Sequence, residues 1–278
     1  MESSKEPPSC PLSPSPSPPL PLPTHPVPAL GTTPAFELQD VSLRYPSFFR
    51  KGKPALDGVS LSVPQGAICG LLGRNAAGKT SLITLLAAYR RPTQGKVLVF
   101  GQDPYENPAI APDVAFIYTN NNKDDLSNSL RTKDHLELAA LLRPRWDAVF
   151  ADRLLERFAI PRKKTLGKLS MGQRAALYCT IGLASRAPLT IFDEAYLGMD
   201  AIYRRMFVDE LLTDYLSHPR TILFSTHYIG EMERLFTEAL IIDKGRVLVH
   251  DDCDNLRRAG SSLQDLFVDL TLKEGESA

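Results

Sequence analysis

The sequence predicts an α/β fold built on a mainly parallel sheet with helices covering it. Three observations carry that expectation. Short apolar runs alternate with segments of helical periodicity along most of the chain; one such run leads into Gly73-Arg74-Asn75-Ala76-Ala77-Gly78-Lys79-Thr80 just before a helical segment; another ends on Asp193-Glu194. With 278 residues, 43% of them apolar and 23% charged, the chain can bury one large core with an appendage or two small ones.

Residues 1–34 read as a disordered Pro/Ser-rich tail, because proline donates no backbone hydrogen bond and favours extended conformations outside a core. A proline-rich docking peptide is the functional alternative for that stretch. From Phe36 to Tyr45 and from Ala55 to Val63 the pattern alternates in patches, which predicts two strands around a loop carrying Arg50, Lys51 and Lys53. Gly66 to Leu72 reads as a short buried strand, and Leu82, Leu85, Leu86 and Tyr89 space a helix that Arg91-Pro92 stops. Lys96–Phe100 and Val114–Tyr118 are further strands. Leu126 to about Ile160 is helical in pattern, interrupted at Pro144, where Arg143 and Arg145 predict a solvated turn. A second alternation follows: helix Met171–Ser185, strand Leu189–Phe192, helix Ile202–Leu216, strand Thr221–Ser225, helix Ile229–Leu235, and strands Ala239–Ile242 and Arg246–His250.

Composition excludes several classes. The 32 Lys+Arg balance 32 Asp+Glu, so no overall positive field draws the chain to nucleic acid or an anionic membrane. No apolar run approaches the roughly 20 residues that span a bilayer. Met1-Glu2-Ser3-Ser4-Lys5 leads into prolines rather than into an apolar signal segment, so neither a membrane span nor secretion is expected. Cys10, Cys69, Cys179 and Cys253 form no Cys-x-x-Cys pair, which predicts neither a disulfide framework nor a zinc site and suits a reducing cytosol.

The run Gly73–Thr80 fits G-x-x-x-x-G-K-[ST] between a strand and a helix, the context in which that pattern cradles phosphate. Small residues let backbone N–H groups converge on the phosphates, and the helix N-terminus adds a partial positive charge. Lys79 reaches the β/γ-phosphates in this reading, and the Thr80 hydroxyl becomes a Mg²⁺ ligand. The strand Leu189–Phe192 then delivers Asp193 to the metal and Glu194 to the attacking water, as orienter or base; a solvated strand end is the plainer alternative, and two adjacent acids argue against it. His227, just beyond the strand Thr221–Ser225, falls on the same carboxyl edge, within reach of the γ-phosphate or of Glu194.

With these residues in view, the chain resembles the nucleotide-binding subunit of an ATP-binding cassette (ABC) transporter, of the stand-alone, exporter-like type. Leu169-Ser170-Met171-Gly172-Gln173-Arg174 resembles the family signature Leu-Ser-Gly-Gly-Gln, Leu197-Gly198-Met199-Asp200 looks like its D-loop, and His227 like its switch histidine. Tyr45 matches the aromatic that stacks on adenine, with Phe48 or Phe49 as substitutes. The resemblance covers about residues 36–269. It implies a P-loop NTPase with a RecA-like core and antiparallel β flank (35–119 and 188–250), an inserted helical subdomain (120–187) and a C-terminal tail (251–278). It also implies ATP and Mg²⁺ as cofactors, and two chains, identical or not, dimerised head to tail. One chain's Gly73, Asn75, Ala76, Ala77, Gly78, Lys79, Thr80 and Ser81 would hold each nucleotide together with the other's Ser170, Gly172, Gln173 and Asp200. A separate transmembrane permease would place the chain on the cytoplasmic face of a membrane. No nucleic acid partner is expected.

Departures from the family pattern set further expectations. Ala76 replaces a usual glycine, at a cost of about 1 kcal/mol if its φ is positive. Met171 replaces the first signature glycine, and Ala195 stands where proline is common. Thr119, followed by Asn120, Asn121 and Asn122, stands where the family has a metal- or water-touching glutamine, which implies slow basal hydrolysis. Two other readings stay open: a soluble ABC-type ATPase acting on ribosomes or DNA, and a regulatory subunit that binds ATP with little hydrolysis.

Overall fold

The computed structural model describes residues 32–46, 53–119, 126–227, 229–258 and 262–276. The proline-rich stretch before Thr32, Phe48, Phe49, Arg50, Lys51 and Asn120 to Asn122 lie outside the described residues.

Alternating burial makes β1 (Phe36–Leu43) and β2 (Leu56–Val63) one-sided strands, and they pair antiparallel with each other. β4 (Gln94–Val99) pairs antiparallel on the other side of β1, giving a sheet in the order β2-β1-β4. β3 (Ile68–Leu72), in contrast, is buried at every position, as a strand covered on both faces must be. It lies inside a six-stranded sheet with β5 (Val114–Tyr118), β6 (Leu189–Asp193), β7 (Thr221–Thr226), β8 (Glu238–Asp243) and β9 (Arg246–Asp252), in the order β5-β6-β7-β3-β8-β9. Neighbours from β5 to β8 run parallel, and β9 returns antiparallel on β8. The mainly parallel sheet and the antiparallel flank are both as expected.

The alternation of β3 divides the core. Ile68 and Leu72 face one side, with α4 (Met171–Ala184) and α5 (Ala201–Ser217). Cys69 and Leu71 face the other, with α1 (Lys79–Leu86) and the antiparallel sheet. The stretch after β5 folds as α2 (Thr132–Leu142) and α3 (Ala148–Arg157), broken at Pro144 as its ring requires. The predicted helix at Ile229–Leu235 is a 3₁₀ segment, Gly230–Leu235. α6 (Cys253–Arg258) and α7 (Leu263–Glu276) follow β9.

One expectation is overturned here. Arg143 is not in a solvated turn: its guanidinium donates to the carbonyls of Val114 (2.7 Å) and Ala111 (3.4 Å), and burial lowers its pKa. Arg145 pairs with Asp113 at 2.6 Å and is half exposed. The turn is thereby pinned to the start of β5.

Candidate active site

Parallel pairing puts the ends of four strands in one row. Register aligns Tyr118 with Asp193, Asp193 with Ser225, and Ser225 with Leu71, so the loops after β5, β6, β7 and β3 open on a common edge. A cleft of ≈ 740 Å³ occupies that edge, lined by Asn75 to Ser81, Thr119, Asp193 and Glu194, together with Ala55, Arg74, Tyr118, Met171, Leu197 and Gly198.

The loop before α1 is shaped by close approaches. A Cβ on Gly73 would stand 2.6 Å from the Ile242 carbonyl, and Gly78 combines φ 115 with the Ala55 carbonyl 2.8 Å from where its Cβ would be. Ala76 does adopt a positive φ, 64, so the condition for its strain is met. Lys79 is buried and folds back over the loop, donating to the carbonyls of Gly73 (2.7 Å) and Arg74 (3.2 Å). Its desolvation lowers the ammonium pKa, against the pull of Glu194 and Asp193.

Asp193 accepts a hydrogen bond from the Ser225 hydroxyl and a longer one, 3.4 Å, from that of Thr80. Burial nevertheless raises its pKa, with the neighbouring Glu194 adding to the rise. Glu194 has φ 50, a left-handed backbone that turns its carboxylate back over the edge. There Oε1 lies 3.0 Å from His227 Nδ1 and 3.7 Å from Lys79 Nζ. One carboxylate oxygen thus bridges the two groups. His227, 43% exposed at its side chain, borders an adjoining hollow behind residues 74–77.

A hydroxyl and a carboxylate facing each other beside the loop form a hard-oxygen donor set, which fits Mg²⁺. Thr119 also lines the cleft, with its proton donated to the Ala195 carbonyl at 3.1 Å, which leaves its hydroxyl lone pairs as acceptors.

Other predicted residues stand apart. Tyr45 does not line the cleft; its hydroxyl meets the Ser81 hydroxyl at 3.1 Å and the Arg90 guanidinium lies 4.7 Å from its ring centre. Ser170 and Gln173 form a reciprocal capping box on α4, with bonds of 3.1 and 3.3 Å. Asp200 caps α5 by accepting the Tyr203 N–H at 2.8 Å. Gly172 differs from the loop glycines: an added Cβ would meet nothing nearer than 3.5 Å, so its own chain does not require glycine there. Ser225 was missed by sequence reasoning, although a hydroxyl two residues before His227 in an apolar strand is a readable signal. The buried Tyr196, bonded to Thr226, was missed as well.

A family described as "ABC transporter" matches residues 56–197. Among curated relatives, the ABC transporter ATP-binding protein YtrB of Bacillus subtilis (strain 168) is 26% identical over 237 residues, covering 84% of this chain and 80% of its own. The daunorubicin resistance ATP-binding protein DrrA3 of Streptomyces coeruleorubidus is 31% identical over 228 residues, covering 80% of this chain and 70% of its own. A solved structure described as the ATP-binding subunit of an ABC transporter superposes with a TM-score of 0.73 at 25% identity, over 85% of this chain and 99% of that one. A dimeric bacterial ABC transporter cassette shares the fold, with a TM-score of 0.67 at 18% identity, over 78% of this chain and 98% of that one.

Proposed function

The chain belongs to the ABC transporter family, and on that premise we propose that it is the ATP-hydrolysing subunit that powers a separate transmembrane permease in an exporter-type system. The observation that carries the reading is the convergence of Lys79, Asp193, Glu194 and His227 on one sheet edge beside a phosphate-cradling loop. Relatives named for daunorubicin resistance, doxorubicin resistance and Nod factor export favour the outward direction. Among the described residues no helix is long and apolar enough to cross a membrane, which is consistent with the permease being another polypeptide.

The backbone N–H groups of residues 73–81 and the start of α1 receive the triphosphate, and Lys79 exchanges its loop carbonyls for phosphate oxygens. Thr80 and Asp193 would hold Mg²⁺, with Thr119 as a further oxygen. When bound, the metal neutralises charge on the phosphates. As phosphate takes over Lys79, the Glu194 carboxylate loses the ammonium neighbour and is free to align a water molecule and accept its proton. His227 keeps that carboxylate in place.

Gly172 supports a shared site. Gly172 leaves open space at the start of α4, into which the nucleotide held by a second copy or a homologous subunit can reach. Ser170, Gln173 and Asp200 surround it on two helix N-termini, which supply further N–H donors to a γ-phosphate. Nucleotide then binds the two chains together, and its cleavage releases them. In this reading the chain works on the cytoplasmic face of a membrane, against the permease.

The test is Glu194→Gln. The variant is expected to retain ATP and dimerise, while single-site turnover falls by on the order of 10² to 10⁴. Full hydrolysis by the variant would remove Glu194 from its role. In the same assay the isolated parent chain, with threonine in place of glutamine at the end of β5, is expected well below the roughly 10 s⁻¹ of a typical enzyme.

A further inference from the structure

Trp146, the one tryptophan of the chain, stands far from the cleft just described. It lines a second hollow, ≈ 750 Å³, at the amino edge of the parallel sheet, where Pro188 leads into β6. Phe100, past the end of β4, and Val149, 82% exposed in the first turn of α3, add apolar surface. Gln65 and Arg145 bring N–H donors to the same walls.

This hollow meets the place where the described chain begins. The Gln65 side-chain amide donates to the Thr33 carbonyl at 2.8 Å, and the Phe100 backbone N–H donates to the Ala35 carbonyl at 3.0 Å. The described chain therefore begins beside a wall of the hollow, and the stretch ahead of Thr32 is tethered there. Its sequence from Leu20 to Leu30 is Leu-Pro-Leu-Pro-Thr-His-Pro-Val-Pro-Ala-Leu, four prolines spaced by Leu22, Val27 and the polar pair Thr24-His25. Such a sequence favours a polyproline II helix, whose carbonyls have no partners in their own chain and whose ordering entropy is low. Aromatic-walled grooves that carry N–H donors are its complement. Gln65 already makes one contact of that kind, to Thr33.

We propose that the segment Leu20–Leu30 docks in its own chain's hollow around Trp146. Its prolines pack on Trp146 and Phe100, and its carbonyls take N–H groups from the walls. Tethering favours this occupant over a partner's peptide: the segment ends close to Thr33, and a short tether gives an effective concentration of about 1 mM or more. The docked arm joins the end of β4 to the start of α3, and so ties the antiparallel flank to the helices inserted after β5.

The single tryptophan makes the proposal measurable by acrylamide quenching of Trp146 fluorescence. The full chain is compared with a full-length variant in which Pro21, Pro23, Pro26 and Pro28 are changed to Gly. The variant is expected to show at least a twofold higher quenching constant and a red-shifted emission, and a synthetic peptide of residues 18–31 is expected to restore protection. In the parent chain, quenching should not change over a hundredfold dilution. Equal quenching in the two proteins would overturn the proposal, as would a change that the peptide fails to reverse. Protection lost on dilution of the parent would mean that the arm docks on a second copy, which overturns docking within one chain.

Discussion

The two edges of the parallel sheet both take carboxylates out of water, and they treat them in opposite ways. At the amino edge Asp147 caps α3 and pairs with Arg186 at 2.8 Å, while Asp214, 5% exposed, pairs with Arg220 at 2.8 Å and with Arg186. Burial alone would raise the pKa of Asp147, but the hydrogen bond from Arg186, the Phe150 N–H and the Arg186 charge outweigh it and leave it lowered. At the carboxyl edge Asp193 has two hydroxyl donors and a carboxylate neighbour, and its pKa is raised. Two residues there, Ala76 and Glu194, also hold left-handed backbone. Carboxylate charge set against arginines builds the fold; carboxylate charge buried with only hydroxyl donors and a second carboxylate beside it marks a place kept ready for a ligand's charge.

The sharpest way to break this contrast is at Asp214. Asp214→Asn leaves two buried guanidinium groups short of a countercharge, which is expected to cost about 3 to 5 kcal/mol of stability. Urea unfolding measures that loss. Affinity for a fluorescent ATP analogue, measured on the folded fraction, should be unchanged. A weaker nucleotide affinity with unchanged stability would reverse the roles assigned to the two edges.

At Asp193 the expected signs invert. Because the folded protein holds the Asp193 proton more tightly than the unfolded chain does, the native state binds more protons between the ordinary carboxylate range and the raised value. Stability from this group therefore falls as pH rises through that window and stays low above it. Asp193→Asn removes that loss, so its thermal midpoint at pH 7 should match or exceed the parent's. Turnover should drop by roughly a hundredfold with the metal's acidic ligand gone. A variant destabilised at pH 7 would show that the carboxylate is well paired after all.

The two edges also differ in how far they could be read from the sequence. The carboxyl edge was legible because phosphate chemistry demands particular residues close together: the run Gly73–Thr80, the pair Asp193-Glu194, and His227 two residues past Ser225 each declare themselves locally. Strand alternation gave the parallel sheet for the same reason, since β-periodicity and buried apolar runs are short-range signals. The amino edge was illegible. Asp147, Arg186, Asp214 and Arg220 come from four separate elements and meet only after the sheet has formed. Arg143 looked solvated because flanking Pro144 marks a turn, while the carbonyls it reaches, Ala111 in the 3₁₀ turn before β5 and Val114 at the start of β5, lie 32 and 29 residues back in the chain. The Gly172 position was read as a signature residue, but only the space around it shows that its own chain has no use for a glycine.

The smallest expected effect tests the strain half of the contrast. Ala76 carries a methyl at φ 64, in the middle of the loop that the phosphates must enter, and its Cβ pays for a conformation that glycine adopts freely. Ala76→Gly should therefore raise stability by about 1 kcal/mol, less whatever the more flexible glycine adds to the entropy of the unfolded chain. Both quantities are small, so the comparison that decides is a relative one. Ala77 and Ala87 flank α1 on either side without a positive φ in the same structure, and glycine at Ala87 should destabilise by a few tenths of a kcal/mol or more for the ordinary reason of backbone entropy. Opposite signs at Ala76 and Ala87 in chemical unfolding would locate stored strain in the loop. The same sign at both would leave Glu194 as the strained position of the edge.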